Sequence, residues 1–166
     1  EAQGLGNRPV VFLFNGAEES NQQASHGFIT QHRWAREIGV VANLESMGAG
    51  GRFHVFQCNS RRVARILGDA FLSPYGSVIG HELFSGVLSK TAATDYRTFL
   101  DFGPPGLVGF DSAFIGQGQV YHTAFDDSKH VPDETLVLTG ETLLRFLRAA
   151  APESSGLVYL EDQGGD

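Results

Sequence analysis

The sequence has 166 residues, of which 42% are hydrophobic and 19% charged, and 13 are phenylalanine. A chain of this length buries roughly 70% of the surface that its unfolded form exposes, so the composition favours one globular domain and excludes a disordered segment. The formal net charge of −7, with no basic cluster longer than Arg61-Arg62, argues against a nucleic acid or an anionic membrane surface as partner.

Cysteine content and hydropathy indicate which kinds of protein the chain can belong to. The single cysteine, Cys58, excludes an internal disulfide. No apolar run approaches the ~20 residues that span a bilayer, so contact with a membrane is expected only through segments outside this chain. The start of the chain is neither an initiator methionine nor a signal peptide, which predicts that the sequence is part of a longer protein.

The first half of the chain alternates apolar runs with turns. Residues 8–14 (RPVVFLF) predict a strand that is buried on both faces and ends at Asn15-Gly16. Residues 23–34 have near-helical apolar spacing and predict a helix that covers the sheet. Residues 39–44 and 52–57 predict two more strands, which a glycine-rich turn separates.

The second half continues the alternation. Residues 60–72 and 133–150 place apolar side chains on one helical face and predict the two clearest helices. The remaining segments are predicted as a strand at 77–84, a short helix at 95–100, a Gly/Pro loop at 103–106, an apolar run at 109–115 and a final strand at 157–160. Together these elements predict a three-layer α/β/α sandwich with a mainly parallel, mixed central sheet, incomplete at its N-terminal side. Its active site is expected at the carboxyl ends of strands.

Two adjacent carboxylates, Glu18 and Glu19, directly follow the first predicted strand. Neighbouring anions at a sheet edge repel each other, and a divalent metal offsets that repulsion while leaving one carboxylate free to act as a base. Taken alone, the pair fits the first turn of a helix better, because the helix dipole favours glutamate there.

Two further groups are predicted to lie on the same rim. Glu45 ends another apolar strand in the triplet Asn43-Leu44-Glu45. His122 follows a turn-rich segment, and Asp126 comes four residues later. A histidine with a nearby carboxylate is the usual arrangement at zinc, although a lone histidine is more often structural.

Four ordered motifs resemble the zinc peptidases of metallopeptidase family twenty-eight, and most closely the endoplasmic reticulum metallopeptidase (Fxna-like) branch. The motifs are FNGAEE at 14–19, ASHGFITQH at 24–32, NLE at 43–45, and YHT at 121–123 followed by Phe125-Asp126. The resemblance covers residues 7–150, and 151–166 are expected to form a final strand and tail. It implies that the chain is the C-terminal portion of a single peptidase domain.

The resemblance also implies a role for each matched residue. Glu18 corresponds to the general base that takes a proton from the attacking water, and Glu19 to a ligand of one zinc. Glu45 and His122 correspond to ligands of a second zinc. Tyr121 resembles the phenol that hydrogen-bonds the developing oxyanion, and Asp126 is a candidate outer-shell residue.

One part of the family pattern is absent from the sequence. Family members take a first histidine and a metal-bridging aspartate from a segment upstream of the Glu-Glu strand, and only residues 1–7 precede that strand here. These 166 residues alone are therefore expected to bind zinc poorly and to be inactive, as a fragment of the enzyme. An intact protein that has lost the segment is the alternative.

Several other polar residues have simpler interpretations. Structural or surface roles are expected for His26, His32, His54, His81 and His130. Asp95 and Asp111 are expected at element ends, where helix capping is the simpler role and a place beside the metal ligands the alternative. Cys58 has no neighbouring base, which argues against a thiol nucleophile.

The leading functional hypothesis is hydrolysis of a peptide bond near a chain terminus by a zinc exopeptidase, most simply an aminopeptidase, acting on peptides or proteins. Two alternatives stay open: a glutaminyl cyclase-like acyltransferase, which shares the fold, and a catalytically degenerate luminal interaction module. The resemblance implies location at the endoplasmic reticulum membrane, on its luminal side.

Overall fold

Three strands form the sheet in the computed structural model, which describes residues 8–71, 75–88, 93–152, 155 and 157. The strands are β1 (Val40–Ser46), β2 (Gly50–Cys58) and β3 (Val108–Gly116), in the order β1-β3-β2. β3 is central, parallel to β1 and antiparallel to β2. The described sheet is therefore mixed, with one pairing of each kind.

Five α-helices surround the sheet in the described part of the chain. They are α1 (Gln23–Gln31), α2 (Arg61–Ala70), α3 (Val78–Glu82), α4 (Asp95–Phe102) and α5 (Asp133–Ala150), with short 3-10 turns at Ala35–Glu37 and Gly118–Val120. α2 begins after an N-cap serine that the sequence supplies. The Ser60 hydroxyl accepts a hydrogen bond from the Val63 backbone N–H at 3.3 Å. None of these helices combines the length and apolarity needed to cross a membrane.

The two faces of the sheet carry separate hydrophobic cores. α2 and α5 cover one face around Phe110, Phe114 and Phe146. α1 and α4 cover the other face, where Ile29, Tyr96 and Phe99 pack with residues of the sheet and its loops. This layering confirms the predicted α/β sandwich, since a strand buried between two helical layers must bury both of its faces.

The predicted strand at 8–14 is wrong. Its residues lie in irregular backbone, with Phe12 61% and Phe14 94% exposed. A strand is held by a ladder of hydrogen bonds to a neighbour, and none of the described strands pairs with this segment. An apolar run forms a strand only when a partner strand is present, and this run pairs with none of the described strands.

The predicted strand at 77–84 is also wrong, because the segment is helical. The Ser77 hydroxyl caps α3 by accepting from the Gly80 N–H at 3.0 Å, and a π-helical turn at Leu83–Val87 follows. The sequence signal for this helix is the N-cap serine, which the apolar content of the segment obscured. Of the predicted strand at 157–160, residues 158–160 lie outside the described residues.

The other predicted elements are confirmed, with small changes at their ends. The strands at 39–44 and 52–57 correspond to β1 and β2, and the apolar run at 109–115 to β3. The helices at 23–34, 60–72, 95–100 and 133–150 correspond to α1, α2, α4 and α5. The first of these is shorter than predicted, since α1 ends at Gln31.

We expect Gly140→Ala to stabilise the fold. Gly140 lies inside α5, and a Cβ added there would meet no atom within 4 Å, so alanine gains helix propensity without a clash. The expected gain in the free energy of unfolding is about 0.5–1 kcal/mol, measured by urea denaturation. Gly109→Ala is the matched control and should destabilise, because its Cβ would lie 2.1 Å from the Val41 carbonyl oxygen. A Gly140→Ala protein less stable than wild type contradicts this account of α5.

Candidate functional site

Glu18 and Glu19 lie in a turn that precedes α1. They are at neither of the predicted places, since residues 8–17, the described residues before them, contain no strand and the first turn of α1 contains no acidic residue. The turn is compact: Ala17, Asn21 and Gln22 have positive φ angles of 59°, 64° and 50°. Positive φ is uncommon outside glycine and marks a segment whose shape is set by its surroundings.

Hydrogen bonds from Gln22 hold Glu18 in this turn. The Gln22 side chain donates to Oε1 of Glu18 at 3.3 Å and to the Ala93 carbonyl at 2.5 Å. The Gln22 backbone N–H donates to the Glu18 carbonyl at 2.8 Å. Glu18 is thus connected to the segment that leads into α4.

Asp95 anchors the same turn from the start of α4. Its buried carboxylate accepts from the Asn15 amide at 2.6 Å and from the Ser25 hydroxyl at 2.5 Å. The capping role expected for Asp95 is wrong, because Thr94 occupies the N-cap position of α4. Asp95 instead ties the acidic turn and α1 to α4, which positions Glu18 and Glu19 relative to the sheet.

Glu45 lies near the carboxyl end of β1, as predicted. The Asn43 amide donates to Oε1 of Glu45 at 2.9 Å and to Oδ1 of Asp111 at 2.9 Å. The pKa of Glu45 is raised to about 7, mainly by burial, with the hydrogen bond from Asn43 opposing the rise and the carboxylates of Asp111, Glu18 and Asp95 adding to it. Glu45 therefore lies among other carboxylates, and a bound cation would offset the repulsion between them.

Asp111 is the polar residue of this region that sequence reasoning placed wrongly. It lies inside β3, not at an element end, and is 0% exposed. Its carboxylate accepts from Asn43, Gln57 and Thr94, while burial raises its pKa to about 7. The signal was available, because a carboxylate inside an apolar run must be hydrogen-bonded if that run is buried.

His122 meets Glu19 across the site. Its Nε2 forms a hydrogen bond with Oε1 of Glu19, although the two residues are 103 positions apart in the sequence. His122 follows the 3-10 turn at Gly118–Val120, has a φ of 57°, and stacks on the Tyr121 ring at 3.7 Å between centroids. The structure therefore brings together the first and fourth of the matched motifs.

The pKa of Tyr121 reflects the negative charge of the carboxylates around it. Burial raises the pKa of its phenol, and the carboxylates of Glu19, Glu18, Glu45 and Asp126 raise it further, in that order. Burial likewise raises the pKa of Glu18, with contributions from Asp95 and Glu19. The predicted site residues thus share one strongly negative region, in which the His122 imidazole contacts Glu19.

The side-chain atoms in this region are of the chemical types that bind a divalent cation. Carboxylate oxygens and an imidazole nitrogen are the ligands that zinc accepts from Asp, Glu and His. Glu19 and His122 already meet at one point, while Glu45 is within electrostatic range of Glu18 and Tyr121. Over residues 8–71, 75–88 and 93–152, no group of three or more His, Cys, Asp or Glu side chains is arranged to hold a metal ion.

The remaining histidines and Cys58 lie elsewhere. His54 is in β2, where burial lowers its pKa, and His130 pairs with Asp127 at 2.8 Å. His26 is in α1 and packs edge-on against Phe102. Burial raises the pKa of the Cys58 thiol, which disfavours the thiolate that a nucleophile needs.

Comparison with known proteins identifies relatives over most of the chain. The family description "Peptidase family M28" matches residues 1–147. Endoplasmic reticulum metallopeptidase 1 of Homo sapiens is 41% identical over 145 residues, which are 86% of this chain and 16% of the human protein. Putative endoplasmic reticulum metallopeptidase 1-B of Caenorhabditis elegans is 43% identical over 146 residues, again 86% and 16% of the two chains.

A vacuolar membrane protease of Ajellomyces dermatitidis is 36% identical over 156 residues, 92% of this chain and 15% of the fungal protein. No solved structure gives a significant match. The chain therefore spans 15–16% of the length of these three curated relatives.

Proposed function

Because the chain belongs to peptidase family M28, we propose that it is the C-terminal portion of a zinc peptidase domain that hydrolyses peptide bonds near a chain terminus. Residues 7–150 form the part of the domain that carries the motifs, and 151–166 its end. The substrate is a peptide or protein, and an aminopeptidase is the simplest form of the activity. The observation that carries the proposal is the contact of His122 with Glu19 beside Glu18.

Glu19, Glu45 and His122 are the residues that we assign to zinc, with two ions in the complete domain. Bound zinc supplies Lewis-acid polarisation of the substrate carbonyl and lowers the pKa of water. Their own contribution is to concentrate negative charge and one imidazole where Glu19 and His122 meet. The raised pKa of Glu45 supports this assignment, since an anion at that position is costly until a cation is near.

Glu18 is proposed as the general base. Its side chain is held by the Gln22 amide, so the carboxylate is oriented before substrate arrives. Burial raises the pKa of Glu18, and a raised pKa makes the carboxylate a stronger proton acceptor near neutral pH. Glu18 then holds the proton taken from water until the leaving amine accepts it.

Tyr121 is proposed to donate a hydrogen bond to the oxyanion that develops on the substrate. A phenol must be protonated to do this, and the raised pKa of Tyr121 keeps it so across the physiological range. Its ring stacks on His122, which fixes the phenol relative to a residue assigned to zinc. Asp126 is assigned to the surrounding shell of this group.

The proposed location is the endoplasmic reticulum membrane, with this part of the protein on the luminal side. It rests on the names of the relatives, which are endoplasmic reticulum metallopeptidases and a vacuolar membrane protease. Membrane contact is assigned to segments outside this chain. The net charge of −7 gives no support to a nucleic-acid partner.

His122→Ala tests the proposal against His130→Ala, a matched control on the same loop whose imidazole pairs with Asp127. We expect His122→Ala to lower zinc content and peptide hydrolysis in the intact protein by at least about 10-fold, because a ligand is lost. His130→Ala should change neither quantity. Zinc content is measured by mass spectrometry after dialysis, and hydrolysis with aminoacyl and peptide substrates.

Three results of this experiment would contradict the proposal in different ways. Unchanged zinc content in His122→Ala removes this residue from the metal site. Zinc binding without peptide hydrolysis by wild type favours the glutaminyl cyclase-like acyltransferase. Wild-type protein that binds no zinc and hydrolyses no peptide favours the interaction module.

A further inference from the structure

A row of polar side chains crosses the middle of the sheet beside Glu45. Asn43 of β1 and Gln57 of β2 are both register partners of Asp111 in β3. All three side chains are hydrogen-bonded to one another through the Asp111 carboxylate. Apolar residues would fill this place in a sheet at lower desolvation cost, so the row needs an explanation beyond packing.

The Asn43 amide connects this row to Glu45. Its single nitrogen donates to Oε1 of Glu45 and to Oδ1 of Asp111, each at 2.9 Å, so both amide hydrogens are used. Turning the amide over would place its carbonyl oxygen against two carboxylates and lose both bonds. The hydrogen bond to Asp111 therefore fixes the orientation of the Asn43 amide, and the same amide donates its second hydrogen to Glu45.

Hydrogen bonds from three side chains hold the Asp111 carboxylate in place. Besides Asn43, its carboxylate accepts from the Gln57 amide at 3.0 Å and from the Thr94 hydroxyl. These three donors come from β1, β2 and the residue before α4. A carboxylate that is 0% exposed and bonded to three elements has little freedom to move.

We propose that Asp111 and Asn43 are positioning residues, in which Asp111 orients the Asn43 amide and that amide orients the Glu45 carboxylate for metal binding. The inference rests on the proposed function, because it takes Glu45 as a zinc ligand. The bond from Asn43 engages Oε1 of Glu45, and Oε2 accepts no hydrogen bond from the described residues. Partners of this kind fix the orientation of a metal ligand, and their loss lowers metal affinity by about 10–100-fold.

The experiment measures zinc affinity of the intact protein in buffers of defined free Zn²⁺, for six variants and wild type. One of the six, Glu45→Ala, removes the proposed ligand itself. Asn43→Ala and Asp111→Ala each remove one member of the pair, and the double variant closes a mutant cycle. Asp111→Asn keeps a carbonyl oxygen that accepts from Asn43. Asn59→Ala is the matched control, since Asn59 donates to Leu107 and accepts from the Gly109 N–H without contacting Glu45. Thermal unfolding of each metal-free variant measures the structural cost separately.

We expect Asn43→Ala and Asp111→Ala each to weaken zinc affinity by about 10-fold or more, with no further loss in the double variant. Asp111→Asn should retain affinity within a few-fold of wild type, and Asn59→Ala should lower only thermal stability. If Asp111→Ala does not fold, Asn43→Ala and Asp111→Asn still decide between the outcomes.

Three results overturn the inference, and they are distinguishable from one another. Wild-type zinc affinity in Asn43→Ala, with Glu45→Ala strongly weakened, leaves Glu45 as a ligand and shows that the polar row serves only stability. Wild-type protein without zinc affinity removes the proposed function together with this inference. Additive losses in the double variant contradict the claim that Asp111 acts through Asn43.

Discussion

Glu18→Gln is expected to lower the rate of peptide hydrolysis by about 10²–10⁴-fold while leaving zinc content unchanged. The substitution keeps the size and shape of the side chain, and the amide oxygen still accepts the hydrogen bond from Gln22. It removes the one property the proposal requires, which is the ability to accept a proton. The rate is measured as kcat with saturating substrate, and zinc by mass spectrometry on the same samples.

The matched control for this prediction is Glu37→Gln. Glu37 lies in the 3-10 turn at Ala35–Glu37, is exposed, and has no contact with the acidic turn among the described residues. It makes the same chemical change on the surface, so activity should stay at the wild-type value. Equal activity of Glu18→Gln and wild type contradicts the assignment of the base. Loss of zinc together with activity makes Glu18 a ligand instead.

Phe146→Ala is expected to lower the free energy of unfolding by about 3–5 kcal/mol. Phe146 is 2% exposed on α5, and its ring meets Phe110 of β3 edge-on at 5.0 Å between centroids. Removing the ring leaves a cavity between the helical layer and the central strand, which the neighbours fill only in part. Urea denaturation of the metal-free protein measures the change.

Leu136→Ala is the control on the same helix. Leu136 is 63% exposed, so its truncation should change the free energy of unfolding by less than about 0.5 kcal/mol. A loss of similar size in both variants contradicts the description of α5 as a helix with one buried face. A small loss in Phe146→Ala alone shows that the core between α5 and β3 is loosely packed.

The sequence predicts those parts of the fold whose signals are local. α5 has the predicted bounds because its apolar residues recur at helical spacing and acidic residues open its first turn. Strand pairing depends on a neighbour, which no local pattern reports. Residues 8–14 and 77–84 have similar apolar content to β1, yet neither pairs as a strand, and the second has an N-cap serine that selects helix.

Some features of the candidate site are likewise predictable from the sequence, and others depend on residues that are distant in the chain. Motif resemblance selected Glu19 and His122, and the structure brings them into contact although the chain separates them widely. It places Glu45 near its predicted strand end, with Glu18 within electrostatic range. The sequence signals that a buried Asp111 must be hydrogen-bonded, but the partners of Asp95 and Asp111 are not predictable from spacing, because the donors come from other elements.

The central claim is that Glu19, Glu45 and His122 hold zinc, and a crystal structure of the intact protein grown with zinc tests it most directly. Anomalous scattering at the zinc edge locates the metal without reference to any assumed site. We expect an anomalous peak about 2.0–2.2 Å from a carboxylate oxygen of Glu19 or Glu45 and from a ring nitrogen of His122. Peaks at other residues only, or no peak at saturating zinc, would contradict it.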